Sequence, residues 1–195
     1  MLKSIFVTYN HTHELEVSIG SFLLQTNPNW EMLIVHDGPA PKVVHKIMDR
    51  YKDDPRIKFT CTLKRNGKYG HINRRYFLNS LVADENDWVL LSNSDNYYCP
   101  QFVSQMMEAT KKENAGFIYS DTIHSHLNYG YHRSRLFEGG LDMGCFIVRA
   151  DISKFVGFTH DDFSADGFYA ESCAKECARR GLVAYHIARA LFVHN

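Results

Sequence analysis

Four polar stretches carry residues whose types could do chemistry together. The first is Ser92-Asn93-Ser94-Asp95-Asn96, which closes the apolar run Trp88 to Leu91 and is soon followed by Pro100. A carboxylate flanked by amides and a hydroxyl suits a divalent-metal ligand. A strand-to-helix turn favours the same residues for backbone reasons alone. Thr8-Tyr9-Asn10 and Asp37 form the second and third stretches, each directly after another apolar run. A Tyr face and an Asp acceptor are what a flat heterocycle with an N–H edge needs. The fourth is the loop Asn66-Gly67-Lys68-Tyr69-Gly70-His71, whose backbone amides and cations suit phosphates. It does not match the Walker pattern, and the N-terminal run lacks GxGxxG, so neither a P-loop nor a dinucleotide fingerprint is present.

These groups must be positioned by the elements around them. Leu2–Thr8, Trp30–His36, Ile57–Leu63, the Trp88 run and Gly116–Tyr119 read as strands. Helical spacing spans His13–Leu24, Val43–Tyr51, Asn73–Val82 and Phe102–Lys112. Alternation of buried strand and amphipathic helix over the first ~120 residues predicts a parallel, doubly wound α/β sheet. Ligands of such sheets bind just outside the carboxyl ends of the strands, so the strand-end groups should share one crevice. Beyond Ser120 the rhythm changes. His124–Gly140 has no clear period and reads as a long surface loop, of the kind that is functional or disordered. Cys145–Val148 reads as a strand, Ile152–Phe155 as a short helix, and Asp166–Arg180 as a helix stopped by Gly181.

Composition excludes several partners. Lys plus Arg equals Asp plus Glu at 22 each, so no overall basic field exists to hold a nucleic acid. Local positive charge at Lys64-Arg65, Lys68 and Arg74-Arg75 suits a small anionic ligand. Five cysteines, an odd number without a CxxC pair, read as reduced core residues. No run of 18 apolar residues suggests an integral membrane segment. A chain opening on a strand-like run leaves no room for a signal peptide, so the expected location is the cytoplasm, soluble or peripheral to a membrane. One domain is the default for 195 residues.

The set "VTYN", "IVHDG", "NGKYGHINRR", "LLSNSD" then "CP", "GGLDMGCFIVR", "ADGF" and "FVHN", in this order over essentially the whole chain, resembles the GT-A glycosyltransferases of the family 2 type. The resemblance implies a single GT-A domain, a three-layer sandwich with a mainly parallel sheet. Residues 1–120 would be its nucleotide-binding half and 121–195 its acceptor and catalytic half. It implies an inverting transfer of sugar from a nucleotide-sugar, with a UDP-sugar expected, to a hydroxyl of a glycan, lipid carrier or protein. Thr8, Tyr9, Asn10 and Asp37 match the residues holding base and ribose, and Gly70, His71, Arg74, Asn93 and Ser94 complete the donor-binding set. The family's Asp-x-Asp metal motif falls on Asn93-Ser94-Asp95, where Asn93 replaces the first carboxylate, so the duty rests on Asp95. The closing metal-binding His matches His194. Mn²⁺ or Mg²⁺ is the expected cofactor, Asp plus imidazole suiting Mn²⁺. Asp166 matches the catalytic base, although Ala165 stands where a Glu usually precedes it.

Each residue also has a plainer reading. Asp166 could cap its helix, with Glu171 as the alternative base. Asp37 could be only a turn former, Tyr9 a core aromatic, and His194 ordinary surface. Arg74 could hold a phosphate or the base, or merely decorate its helix. Arg75 stands where relatives tend to show Asn. Asp142 and Gly144 could line the donor-sugar or acceptor site or simply make a turn. A sugar nucleotidyltransferase and an inert nucleotide- or sugar-binding module are the rival functions.

Overall fold

The computed structural model describes residues 1–137 and 140–195. Strands β1 (Leu2–Thr8), β2 (Trp30–His36), β3 (Ile57–Cys61) and β4 (Trp88–Asn93) alternate with helices α1 (Thr12–Leu23), α2 (Lys42–Met48) and α3 (His71–Ser80). These strands pair in parallel in the order β3-β2-β1-β4. β1 and β4 are buried at nearly every position, as central strands covered on both faces must be. Helix α3 starts at His71, two residues before the expected Asn73, because left-handed Gly70 (φ 80°) turns the chain into it. A Cβ on Gly70 would lie 2.7 Å from Val7 Cγ1, so only glycine lets the loop approach the end of β1.

The remaining elements are β5 (Tyr97–Tyr98), α4 (Phe102–Ala109), β6 (Ala115–His124), β7 (Gly130–His132), β8 (Phe146–Arg149), α5 (Ala150–Val156), α6 (Ala165–Arg179) and β9 (Val183–His194). Here the parallel rhythm stops. β8 runs antiparallel between β4 and β6, because no crossover helix separates β6 from β8. β9 pairs in parallel with β6 and antiparallel with β5, completing the path β3-β2-β1-β4-β8-β6-β9-β5. The architecture is a mixed α/β sandwich, parallel through its first four strands.

The segment His124–Gly140, expected as a surface loop, contains a hairpin. β6 continues to His124, and β7 returns with Thr122 opposite His132 and His124 opposite Gly130. Asn128 and Tyr129 adopt left-handed φ of 50° and 57° to make the turn. Polar and aromatic side chains obscure the period-two pattern that would have revealed it. Glu138 and Gly139 lie outside the described residues.

An aromatic chain through Phe22, Phe6, Tyr98 and Phe192 fills the core between α1 and β9. Gly144 lies against it: a Cβ there would overlap the Phe192 ring and come within 2.9 Å of the Tyr98 hydroxyl. That closeness sets the position of neighbouring Asp142. Cys145, Cys173 and Cys177 are buried and unpaired, and Cys61 is exposed. Among the described residues no helix is long and apolar enough to cross a membrane.

Candidate active site

Two adjoining clefts open at the carboxyl ends of the central strands. The first, of about 900 Å³, is lined by Thr8, Tyr9, His11, Asp37, Arg65, the loop Gly67–Gly70, and Asn93, Ser94 and Asp95. The second, of about 590 Å³, is lined by His71, Asn96, His124, Asp142, Asp166 and His194 among others. Tyr69, Asn93 and Phe163 border both.

In the first cleft, Asp37 is buried and orders the basic loop. Its Oδ1 accepts from Asn66 N (2.8 Å) and Asn73 Nδ2 (2.9 Å), and its Oδ2 accepts from Gly67 N (2.9 Å). The Arg65 guanidinium lies 3.9 Å over the Tyr9 ring, a cation–π pair between residues far apart in the chain that no local sequence pattern reveals. Thr8 is buried, whereas Asn10 is exposed and borders neither cleft. Arg74 is wholly buried and ties α3 to the end of β4. Its Nη1 donates to Tyr69 O (2.8 Å), and its Nη2 donates to Ser92 O (3.1 Å) and to Asn93 Oδ1. Burial pulls its pKa down to about 10, against the charges of Asp166, Asp95 and Asp142. Burial and then the Arg74 charge lower the His71 imidazole to about 4, keeping it neutral near pH 7.

In the second cleft, parallel pairing of β6 with β9 sets His124 directly opposite His194. Their rings stack at 4.2 Å and 10°. Asp142 Oδ2 lies 4.0 Å from His124 Nε2 and 3.6 Å from His194 Nε2, and the three ligand atoms all fall within 4.8 Å of one another. Ser125 Oγ, 2.9 Å from His194 Nδ1, leaves Nε2 facing the cluster. Burial, followed by the neighbouring imidazoles, lowers His124 to about 4, so its lone pair is available. Burial raises the Asp142 carboxyl and Asp95 adds to the rise, while His194 and the Gly144 N–H oppose it. Two imidazoles and a carboxylate at this spacing fit one divalent cation.

Asp95 and His194, matched through one family resemblance, therefore stand on neighbouring clefts. Asp95 Oδ2 lies 3.8 Å from His11 Nε2, and its Oδ1 is buried without a hydrogen-bond partner. His194 is grouped with His124 and Asp142. The signal for His124 was a local excess of imidazoles at positions 124, 126 and 132, but only strand register shows which one meets His194.

Asp166 occupies the first turn of α6 and faces the second cleft. Burial, and then the Asp142 charge, push its carboxyl up to about 6, although Oδ1 accepts from Gly167 N at 2.8 Å. Glu171, the alternative base, pairs with Lys175 at 2.8 Å and borders neither cleft. The hairpin carrying His124 is held at its base by Asp121, which is fully buried. Its Oδ1 accepts from Ser134 N (2.9 Å) and His186 Nε2 (2.7 Å), and its Oδ2 from the Tyr131 hydroxyl.

Buried polar atoms without partners are rare in folded proteins. Among the described residues six buried side-chain atoms lack one, and His71 Nε2, Arg74 Nε, Ser94 Oγ and Asp95 Oδ1 all belong to residues lining or underlying these two clefts. Orphans so grouped mark a place for a polar ligand or an ion.

Residues 4–173 match the family model described as glycosyl transferase family 2. Over 121 residues the chain is 25% identical to UDP-Glc:alpha-D-GlcNAc-diphosphoundecaprenol beta-1,3-glucosyltransferase WfgD of Escherichia coli, covering 62% of this chain and 45% of that protein. S. aureus TarS 1-349 superposes with a TM-score of 0.80 at 13% identity, over 100% of this chain and 60% of that one. The same protein has been solved with UDP and with UDP-GlcNAc. Mannosyltransferase PcManGT from Pyrobaculum calidifontis, in complex with GDP-Man and Mn²⁺, superposes with a TM-score of 0.73 at 14% identity, over 99% of this chain and 56% of that one. This chain thus spans about half the length of the proteins it matches.

Proposed function

The chain belongs to glycosyl transferase family 2 and is a glycosyltransferase, and on that premise we propose that it moves a sugar from a UDP-sugar to an acceptor hydroxyl with inversion at the anomeric carbon. The observation that carries this reading is the cluster of unpartnered buried atoms between a strand-end cleft and a cleft holding a basic carboxylate. The first cleft takes the nucleotide: Thr8, Tyr9 with Arg65, and Asp37 receive base and ribose, and the loop Gly67–His71 faces the diphosphate. UDP is favoured by the UDP-glucose donor in the E. coli relative's name and by the UDP and UDP-GlcNAc complexes of TarS.

His124, Asp142 and His194, with Asp95 across the rim, would hold a divalent cation. Two imidazoles favour Mn²⁺ over Mg²⁺. Bound there, the cation would stabilise the charge that gathers on the departing diphosphate. Arg74 adds a fixed positive charge beneath the same point, and its bond to Asn93 accounts for that residue as a neutral support. Asp166 removes the proton from the attacking hydroxyl. A carboxyl with a pKa near 6 is ionised at pH 7 yet more basic than an ordinary carboxylate, which suits that task. Since Asp166 lines the cleft beyond the nucleotide cleft, the hydroxyl attacks opposite the diphosphate, and one displacement inverts the centre.

The acceptor hydroxyl belongs to a glycan, a lipid carrier or a protein, and the reaction runs in the cytoplasm. A lipid-linked sugar is favoured by the diphosphoundecaprenol acceptor in the E. coli relative's name. Incubating the protein with a panel of UDP-sugars and Mn²⁺ should release UDP slowly without acceptor and faster with one. No UDP binding at any Mn²⁺ concentration would overturn the reading.

A further inference from the structure

We propose that Tyr69 and Phe163 form an aromatic platform that seats a neutral pyranose of the acceptor beside Asp166. This rests on the transferase reading and names the chemistry of its second substrate. Tyr69 precedes α3 and Phe163 precedes α6, so two distant stretches of chain bring the rings together. Their centroids are 6.0 Å apart at 76°. Both border both clefts, and they are 65% and 78% exposed. Single exposed aromatics are ordinary. An edge-to-face pair on the divide between the two clefts is not.

The backbone under each ring is held. Lys68 and Tyr69 take left-handed φ of 51° and 54°, a region that side-chain-bearing residues seldom enter, and the Tyr69 carbonyl accepts from Arg74. On the other side, Arg75 pins the approach to Phe163. Its Nε donates to Phe158 O (2.7 Å), and its Nη2 donates to Thr159 O (2.7 Å) and Asp161 Oδ1 (2.5 Å). Arg75, an unexplained extra charge in the sequence, is thereby a positioning residue for the rim.

The occupant follows from the chemistry around the rings. The electron-rich face of an aromatic ring attracts the weakly positive C–H groups on one face of a pyranose. The hydroxyls at its edge then find acceptors in the Asp162 and Asp166 carboxylates. Asp162 Oδ1 accepts from Ser164 N (3.0 Å) and Asp166 Oδ1 from Gly167 N (2.8 Å), and the second oxygen of each carboxylate is left to accept from a ligand. With Asp142 also nearby, an anionic acceptor group at this spot would meet like charge.

Saturation-transfer NMR on the full chain tests this with methyl pyranosides of glucose, galactose and N-acetylglucosamine as probes. Saturation should concentrate on the C–H protons of one ring face of at least one probe. Phe163→Ala should weaken binding of that probe about tenfold and raise the KM of a glycan acceptor more than it lowers kcat, with Phe163→Trp restoring both. Absence of binding by all three probes overturns the platform. So does an unchanged affinity in both Phe163→Ala and Tyr69→Ala, or tighter binding of a 6-phosphorylated pyranoside. UDP release by the unaltered protein is scored separately. Release without an effect of the ring variants removes only the platform, and pyranoside binding without release removes only the transferase reading.

Discussion

The strands β1–β4 and the strands β6–β9 place their reactive groups by different means. In the parallel region each group follows its strand directly, so its place along the chain sets its place in space: Thr8 ends β1, Asp37 follows β2 and Asn93 ends β4. In the mixed region His124, Asp142 and His194 meet only through pairing between distant segments. That pairing shifts register between Ser120 and Asp121 and again between Asp121 and Thr122. A one-residue slip there would turn His194 to the other face of the sheet. Order in the first region is therefore local, while the second depends on anchors such as Asp121.

Four experiments would break or sharpen that contrast. The largest effect should come from Asp166→Asn, which removes the proposed base: turnover should fall roughly 10²–10⁴-fold while UDP still binds by calorimetry. Next come the proposed cation ligands. Without nucleotide, His194→Ala or Asp142→Asn should weaken Mn²⁺ binding roughly 10–100-fold, read by electron paramagnetic resonance. Asp95→Asn should weaken it less, because Asp95 belongs to the parallel region's cleft. Equal losses would abolish the distinction.

Third, Asp121→Ala should destabilise the protein by about 2–4 kcal/mol in urea melts, leaving Ser134 N–H and His186 without their acceptor. Removing a partly exposed carboxylate of the parallel region, as in Glu31→Ala, should cost about 1 kcal/mol or less. Burial raises the Asp121 carboxyl, but its bonds from Tyr131, His186 and the Ser134 N–H outweigh this and leave it below the ordinary value. Its stabilisation is thus present above the usual carboxylate range and is lost as pH falls through its lowered folded value. Asp166 has the opposite sign. Its folded value of about 6 means that stability declines as pH rises from about 4 to 6. The smallest effect is therefore a melting temperature for Asp166→Asn roughly 2–6 °C above the parent at pH 7, a gap that closes below pH 4.

Much of the parallel region was legible. Buried runs at Leu2, Trp30 and Trp88 announced their strands, and the polar residues behind them announced the cleft. What Arg74 does was not legible, because one helical arginine reads the same whether it points to solvent or lies sealed beneath Asn93. The β6–β7 hairpin was hidden by its polar, aromatic composition. His124 was hidden because cross-strand partnership at long range leaves no periodic trace. Asp166 was visible through its motif, but the burial that lifts its pKa comes from tertiary packing. The resemblance implies Asp95 and His194 as metal ligands, and the fold adds His124 and Asp142 beside His194.

The side-by-side placement of His124 and His194 has a mechanical consequence. An ion gripped by both would fasten the far end of β9 to the tip of β6, closing a large ring through a single removable link. Such a link restricts the unfolded chain much as a crosslink does, and the restriction grows with the span enclosed. Chelation would then do two things at once, halting catalysis and loosening β9. Hydrogen exchange along Leu191–His194 should quicken when the ion is withdrawn, while β1 stays protected.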